Sequence, residues 1–232
     1  LQNGLTQTHQ NNMGAFGGPD IITDGLVFAV DAGSTRSYAG SGTTAYNLVA
    51  NNDVSLINGL GWQSGNGGYF SSDGTDDGMT TPDATNLDLV DFTLEGWVWW
   101  DQHKNYGSFL VKGPGGSGNL FNYSFFGYAT TVSFGFGEGA NYRNASISAP
   151  ATGEWHHIVG TYDGSTLKFY LNSTLANSVS VTATPNQNND ALQILQSQYS
   201  IDGRIGCAKV YNKALTAAEV LQNYNAQKNR FI

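Results

Sequence analysis

The sequence predicts an all-β chain, two antiparallel sheets closed by one late helix. Three observations carry that expectation. From Ile21 onward, turn signals recur every 8–15 residues. The segments between them are rich in Val, Phe, Tyr, Thr and Trp, the residues that fit a pleated, half-buried surface. A helix signature is written plainly in one place, near the C-terminus.

Residues 1–19, LQNGLTQTHQNNMGAFGGP, are polar and Gly-rich without a sustained period. They read as an extended or flexible arm, either a disordered tail or a segment that orders against a neighbouring subunit. We place the arm at 1–23 and the folded domain at 24–232. LVFAVD (26–31) is a short, mostly apolar strand, and 33–42 a loop. FTLEGWVWW (92–100) alternates, with Phe92, Leu94, Gly96, Val98 and Trp100 on one face and Thr93, Glu95, Trp97 and Trp99 on the other. SFLVK (108–112), LFNYSFFGY (120–128) and TVSFGFG (131–137) continue the pattern. WHHIVGTYD (155–163) and STLKFYLN (165–172) flank Asp163-Gly164, a strong hairpin signal, and Asn172-Ser173 turns the chain back along 175–181. RIGCAKVY (204–211) is the last strand. Thr216-Ala217-Ala218-Glu219 then spells a capping box, with Leu215 and Val220 placed for a hydrophobic staple. The helix is expected over ~217–227, burying Val220, Leu221 and Tyr224.

Composition narrows the function. The 232 residues suit one large β domain or two small ones, and neither an internal repeat nor a linker follows residue 24. Ten Lys+Arg against 18 Asp+Glu give a net charge of −8. Ten scattered cations cannot track phosphates, so nucleic acid is not an expected partner, nor is an anionic membrane surface. No apolar run approaches the ~18–20 residues that would span a bilayer, so membrane insertion is not expected. The single cysteine, Cys207, excludes an internal disulfide framework and reads as a small apolar residue in a strand. The start at Leu1 reads as a processed or cut chain.

Four blocks carry a resemblance: YFSSDGTDDGM (69–79), FTLEGWV (92–98), GEWHHIVGTYDGSTLKFYLNS (153–173) and RIGCAKVYNKALTAAEVLQNYNAQKNRF (204–231). In that order they resemble the laminin-G-like branch of the concanavalin A-like lectin/glucanase superfamily, over roughly 24–231. The resemblance implies a jelly-roll sandwich of two antiparallel sheets, one concave and one convex, to which the capping box adds the short C-terminal helix. DGLVFAVDAGSTRSYAGSG (24–42) together with LTAAEVLQNYNAQKNRF (215–231) is similar to single-domain structural proteins of tailed bacteriophages. Such a superfamily holds glucanases, lectins and adhesion domains, so function rests on the site.

Glycoside hydrolysis needs two carboxyl groups flanking one bond, about 5–9.5 Å apart. The superfamily's glucanases carry them as Glu-x-Asp-x-x-Glu, and the only glutamates here are Glu95, Glu138, Glu154 and Glu219. The next acid along the chain after Glu95 is Asp101, roughly 20 Å away on an extended strand. No enzymatic activity is expected. His156 and His157, as strand neighbours, diverge: one is expected inward and the other at the surface. DGTDDG (73–78) starts like a calcium loop through Asp73, Thr75 and Asp77, but Ala84 stands where a Glu would close it. Relatives often hold calcium at a sheet rim, so Asp76 and Asp77 are candidate ligands; the other reading is a tight turn capped by Asp side chains. Sugars stack on Trp or Tyr while amides and hydroxyls read their OH groups. The candidates for that role are Trp99, Tyr106, Tyr128, Asn141 and Tyr142, in an Asn/Gly/Tyr-rich rim over 101–143.

The function expected is a non-enzymatic virion structural protein, displayed on the particle surface and adhering to host surface glycans as a tail-fibre or appendage domain. Its arm would contact other virion proteins or sister subunits in a homo-oligomer. A capsid-decorating protein and a secreted bacterial carbohydrate-binding module are the alternatives. Calcium is the one cofactor considered.

Overall fold

The computed structural model describes residues 19–50, 52–114, 119–195 and 199–232. Its strands, in chain order, are β1 (Leu26–Asp31), β2 (Thr44–Ala45), β3 (Val54–Ile57), β4 (Gly61–Gln63), β5 (Tyr69–Asp73), β6 (Gly78–Thr81), β7 (Phe92–Gln102) and β8 (Gly107–Lys112). They continue with β9 (Tyr123–Gly127), β10 (Thr131–Glu138), β11 (Asn141–Ser148), β12 (Trp155–Tyr162), β13 (Thr166–Leu171), β14 (Thr174–Ser180), β15 (Leu192–Ile194) and β16 (Asp202–Tyr211). Helix α1 (Ala217–Phe231) ends the chain.

Two eight-stranded sheets result. The first has the order β14-β13-β12-β7-β16-β5-β4 with β1 also paired to β16; the second runs β11-β10-β9-β8-β15-β6-β3-β2. All named pairs are antiparallel. This is the expected concanavalin A-like jelly-roll sandwich. The period-2 pattern of β7 sets the layers. Phe92, Leu94, Val98 and Trp100 enter the core between the sheets, where Leu110, Phe125, Phe134 and Ile194 of the second sheet meet them. On the other face of β7, Trp97 joins Trp155, Cys207 and Phe231 in a smaller cluster beneath α1. Cys207 is thus a buried strand residue, as expected.

Turn and cap chemistry appear where the sequence places them. Asp163 Oδ1 accepts from Ser165 N (3.0 Å) and Thr166 N (2.8 Å), with Gly164 at φ +83°. Asn172 and Ser173 both take positive φ, +49° and +66°, as a primed hairpin turn requires. Thr216 caps α1: its hydroxyl accepts from Glu219 N (3.3 Å) while its own amide donates to Glu219 Oε2 (2.7 Å). Leu215 and Val220 pack together in a second small cluster.

Several expectations need correcting. Helix α1 runs four residues past 227, and its inward stripe is Val220, Asn223, Tyr224, Gln227 and Phe231. Leu221 lies off that stripe and is 46% exposed, while Asn223 is fully buried. Neither histidine reaches the surface. They do diverge, but α1 covers the face that was expected to be open. His156 Nε2 lies 2.9 Å from Ala151 O, and His157 Nε2 lies 3.2 Å from Glu95. Asn141–Ser148 is strand β11, paired with β10 along its length. NYRNASIS alternates weakly because β11 is an edge strand, half-exposed along much of its length.

Of the arm, residues 1–18 lie outside the described residues. The last of it is pinned to α1 and to the end of β16. Ile22 N donates to Asn223 Oδ1 (2.7 Å), Tyr211 Oη donates to Ile22 O (3.2 Å), and Gln222 Nε2 donates to Asp20 O (2.9 Å).

Candidate functional site

The register of the second sheet decides which side chains leave the core. One cross-strand row, Ala145–Phe134–Phe125–Leu110–Ile194–Met79, points inward. The adjacent row, Asn144–Gly135–Ser124–Val111–Gln193–Thr80, therefore points outward and forms a lane of small and polar residues. Part of the lane is roofed. Ser124 is buried and donates to the Tyr142 hydroxyl (3.4 Å), and the Tyr142 ring meets Phe121 at 5.3 Å and Phe126 at 6.0 Å. Burial raises the Tyr142 phenol well above its ordinary pKa, so it stays protonated at neutral pH.

At the end of this face stands a tyrosine cluster. Tyr106 lies in the β7–β8 turn and is 56% exposed. Its backbone is left-handed, φ +65°, a conformation uncommon for a bulky residue. Tyr128 meets it edge-on at 5.5 Å and Tyr199 does so at 6.0 Å. The turn is braced on three sides. Asn105 Oδ1 accepts from Ala129 N (3.2 Å), His103 Nε2 lies 2.7 Å from Pro150 O, and Lys104 Nζ donates to Gly74 O (2.9 Å). The fold thus holds an aromatic face toward solvent at a cost in backbone conformation. Burial, and to a smaller extent Tyr106, raises the Tyr128 phenol, so it remains a hydrogen-bond donor.

The same end of the sandwich carries the acidic turn. Ligand oxygens of Asp73, Asp76 and Asp77 lie within 4.8 Å of one another, with Asp77 buried and the others exposed. The Asp side chains also cap the turn: Asp73 Oδ1 accepts from Thr75 N (2.8 Å), and Asp77 Oδ2 accepts from Asp73 N (3.1 Å). Burial raises the Asp77 pKa, against the lowering effect of the Asp73 amide. Such a triad could hold a hard divalent cation. Besides the Lys104 bond, Ser72 Oγ and Ser200 Oγ, 2.6 Å apart, join this turn to the strand end beside Tyr199.

The structure brings Tyr106 and Tyr128 together with Asp76 and Asp77 at one end, but not the other candidates. Trp99 lies on the first sheet. Its indole N–H donates to Asp101 Oδ1 (2.8 Å), its ring takes the Arg204 guanidinium at 4.5 Å, and Trp155 meets it at 6.0 Å. Its ring face and its donor are both engaged. Tyr142 roofs the lane as support, and Asn141, its strand neighbour, points to the opposite side. Tyr199 belongs to the cluster and was missed. It lies between β15 and β16, outside any strand, so no periodicity marks it in the sequence.

Glu95 serves elsewhere. It is fully buried under α1, paired with Lys209 Nζ (2.7 Å) and held by His157 (3.2 Å) and Asn223 Nδ2 (2.6 Å). Burial alone would raise its pKa, but the opposing Lys209 charge and His157 bring it down to about 2.

Comparison with known proteins agrees with this architecture. A family model described as the concanavalin A-like lectin/glucanases superfamily matches residues 73–221. No curated protein matches the chain. Among solved structures, the chain resembles domain 4 of AbnA, an extracellular GH43 arabinanase of Geobacillus stearothermophilus, solved with arabinotriose. The TM-score is 0.66 at 14% identity, over 86% of this chain and 98% of that one. The binding domain of botulinum neurotoxin DC, solved with SialylT, gives 0.67 at 15% identity, over 88% and 52%. Trypanosoma rangeli sialidase with sialic acid gives 0.66 at 16%, over 91% and 34%. The chain spans about half of the toxin domain and a third of the sialidase, and at these identities the likeness is one of fold.

Proposed function

Because the chain belongs to the concanavalin A-like lectin/glucanases superfamily, we propose that it is a non-enzymatic glycan-binding domain. The observation that carries this reading is Tyr106, more than half exposed in a left-handed conformation and braced by Tyr128 and Tyr199. A sugar presents an apolar ring face to such a surface, and the neighbouring Asn105 and Thr130 offer amide and hydroxyl groups to its OH groups. Fold neighbours solved with arabinotriose and with SialylT support a sugar as the ligand class. A binding rather than a hydrolytic role is supported by Glu95, whose carboxylate is buried under α1 and spent on Lys209.

A glycan array probed with the purified chain, in calcium and then in EDTA, tests the reading. Saturable binding that disappears in Tyr106→Ala and Tyr128→Ala variants supports it, and an unmoved signal in both overturns the assignment of the site. Loss in EDTA, reproduced by Asp76→Asn and Asp77→Asn, would assign calcium to the acidic turn.

The finer reading is a surface protein of a tailed-bacteriophage virion, a tail-fibre or appendage domain that grips host glycans, with capsid decoration as the alternative. Its support is the resemblance of 24–42 and 215–231 to phage structural proteins. In this reading the arm joins sister subunits or other virion proteins. Antibody raised against the domain should label intact particles and block adsorption to the host; particles without label would remove this placement.

A further inference from the structure

Strand β8 points Leu110 and Lys112 to the same side, into the sandwich, and both are fully buried. The Lys112 ammonium stands there in a cage of oxygens drawn from two loops. The loop over 82–91 gives Asp83 Oδ1 at 2.7 Å and Asp88 Oδ1 at 3.0 Å. The connection over 181–191 gives Asn188 O at 3.1 Å, Asp190 O at 3.0 Å and Asn188 Oδ1 at 3.4 Å. Tyr123 stands directly opposite Lys112 in the β8–β9 register. It is fully buried, and its hydroxyl has no partner among the described residues. Burial, then the charges of Asp88 and Asp83, raise this phenol well above its ordinary pKa.

An ammonium matches this cage poorly on two counts. It has three N–H donors for the five oxygens around it, and Asp88 Oδ1 is left buried without a hydrogen bond. Its single charge also meets two carboxylates. A hard divalent cation answers both. Calcium takes roughly six to eight oxygens from carboxylates and carbonyls in flexible geometry, and it carries the second charge. The cage would draw in by a few tenths of an ångström to reach calcium's about 2.3–2.6 Å. Its way in is open, since the Asp83 and Asp88 side chains are 30% and 23% exposed.

We infer that this is a calcium-class cation site which the chain keeps closed with its own ammonium. Lys112 holds the ion's place, and the residue at position 112 decides whether the junction is metal-free or metal-bound. The site is separate from the glycan-binding reading, since it uses neither the tyrosine cluster nor Asp73, Asp76 and Asp77. While Lys112 fills the cage, EDTA has no ion to remove from it.

The experiment uses the full chain carrying Asp76→Asn and Asp77→Asn, which silences the acidic turn. In that parent, Lys112→Ala opens the cage. It should bind a single calcium with a Kd below about 1 mM and gain several degrees in Tm. Terbium should bind in its place and luminesce on tyrosine excitation, through Tyr123. The parent should show neither response. Adding Asp83→Asn to Lys112→Ala should weaken calcium binding at least about tenfold. If Lys112→Ala does not fold in EDTA, folding restored by calcium supports the inference and failure in both overturns it. A folded Lys112→Ala that calcium leaves unmoved overturns it too, as does a parent whose calcium binding is lost with Asp83→Asn.

Discussion

Glu95 of β7 and Lys209 of β16 form a 2.7 Å ion pair at one rung of the first sheet, sealed by helix α1. Both side chains are essentially out of solvent, and Asn223 and Gln227 of the helix complete the contacts by bonding one partner each. A buried pair is a weak source of net stability, yet removing one member strands the other. Glu95→Met and Lys209→Met should each cost about 3–5 kcal/mol in urea unfolding. The double Glu95→Met/Lys209→Met variant should cost well under the sum of the two, because no uncompensated charge is left. Strict additivity would show that the two groups do not act as a pair.

The same network sets the response to acid. Burial lowers the His157 pKa against the opposing pull of Glu95, so the unfolded chain takes up a proton near the ordinary histidine pKa that the folded chain declines. That loss of stability begins as the pH falls below about 6.5. Glu95 follows. Its folded pKa of about 2 against the ordinary 4.5 means stability fully present above 4.5 and lost as the pH falls toward 2. The second contribution is about 3 kcal/mol. The Tm should therefore decline in two stages between neutral pH and pH 3, and His157→Asn should remove the upper one. A wild-type Tm flat from pH 7 to 4 would contradict the assignment.

Tyr106 should separate stability from binding. Glycine adopts φ +65° without the Cβ penalty, so Tyr106→Gly should be neutral or stabilising by up to about 1 kcal/mol despite losing an aromatic side chain. Glycan binding should fall by at least about tenfold in the same variant, by analogy with base-stacking platforms, which lose ~1–3 kcal/mol with the ring. A large drop in Tm would show that Tyr106 is a packing residue.

Lys112 is fully buried, yet its ammonium meets Asp83 at 2.7 Å, Asp88 at 3.0 Å, Asn188 O at 3.1 Å and Asp190 O at 3.0 Å. It clamps the loop before β7 to the long connection before β15. Lys112→Met should cost about 3–5 kcal/mol through the stranded carboxylates, and Asp83→Asn added to it should recover part of the loss. Denaturant melts of the three proteins measure both steps.

Gly160 marks a close approach of the two sheets. A Cβ there would stand 2.1 Å from the Phe134 ring, in a core whose neighbours are all buried. Gly160→Ala should destabilise by about 1–3 kcal/mol, and Phe134→Leu in the same chain should return part of it.

The sequence by itself determined what is local. Alternation in 92–100 sorted Phe92, Leu94, Val98 and Trp100 from Thr93, Glu95 and Trp97, because neighbouring side chains on a strand cannot share a face. Asp163-Gly164, Asn172-Ser173 and Thr216-x-x-Glu219 announced their turns and cap because the chemistry acts within four residues. With those in hand the sheets and the late helix were legible. Only the tertiary structure decided what each residue meets. Glu95 and Lys209 stand 114 positions apart, and Asn223 lies 128 from Glu95; their meeting depends on strand order and on where α1 lands. The helix turned an apparently open face of β12 into an interior one and buried His157. Arg204 engaged the ring of Trp99, Phe121 and Phe126 turned Tyr142 into support, and Tyr199, outside any strand, came to lie against Tyr106. Periodicity assigns a side chain to a face, whereas exposure depends on what the rest of the chain lays over that face, and that is set by contacts between residues far apart in sequence.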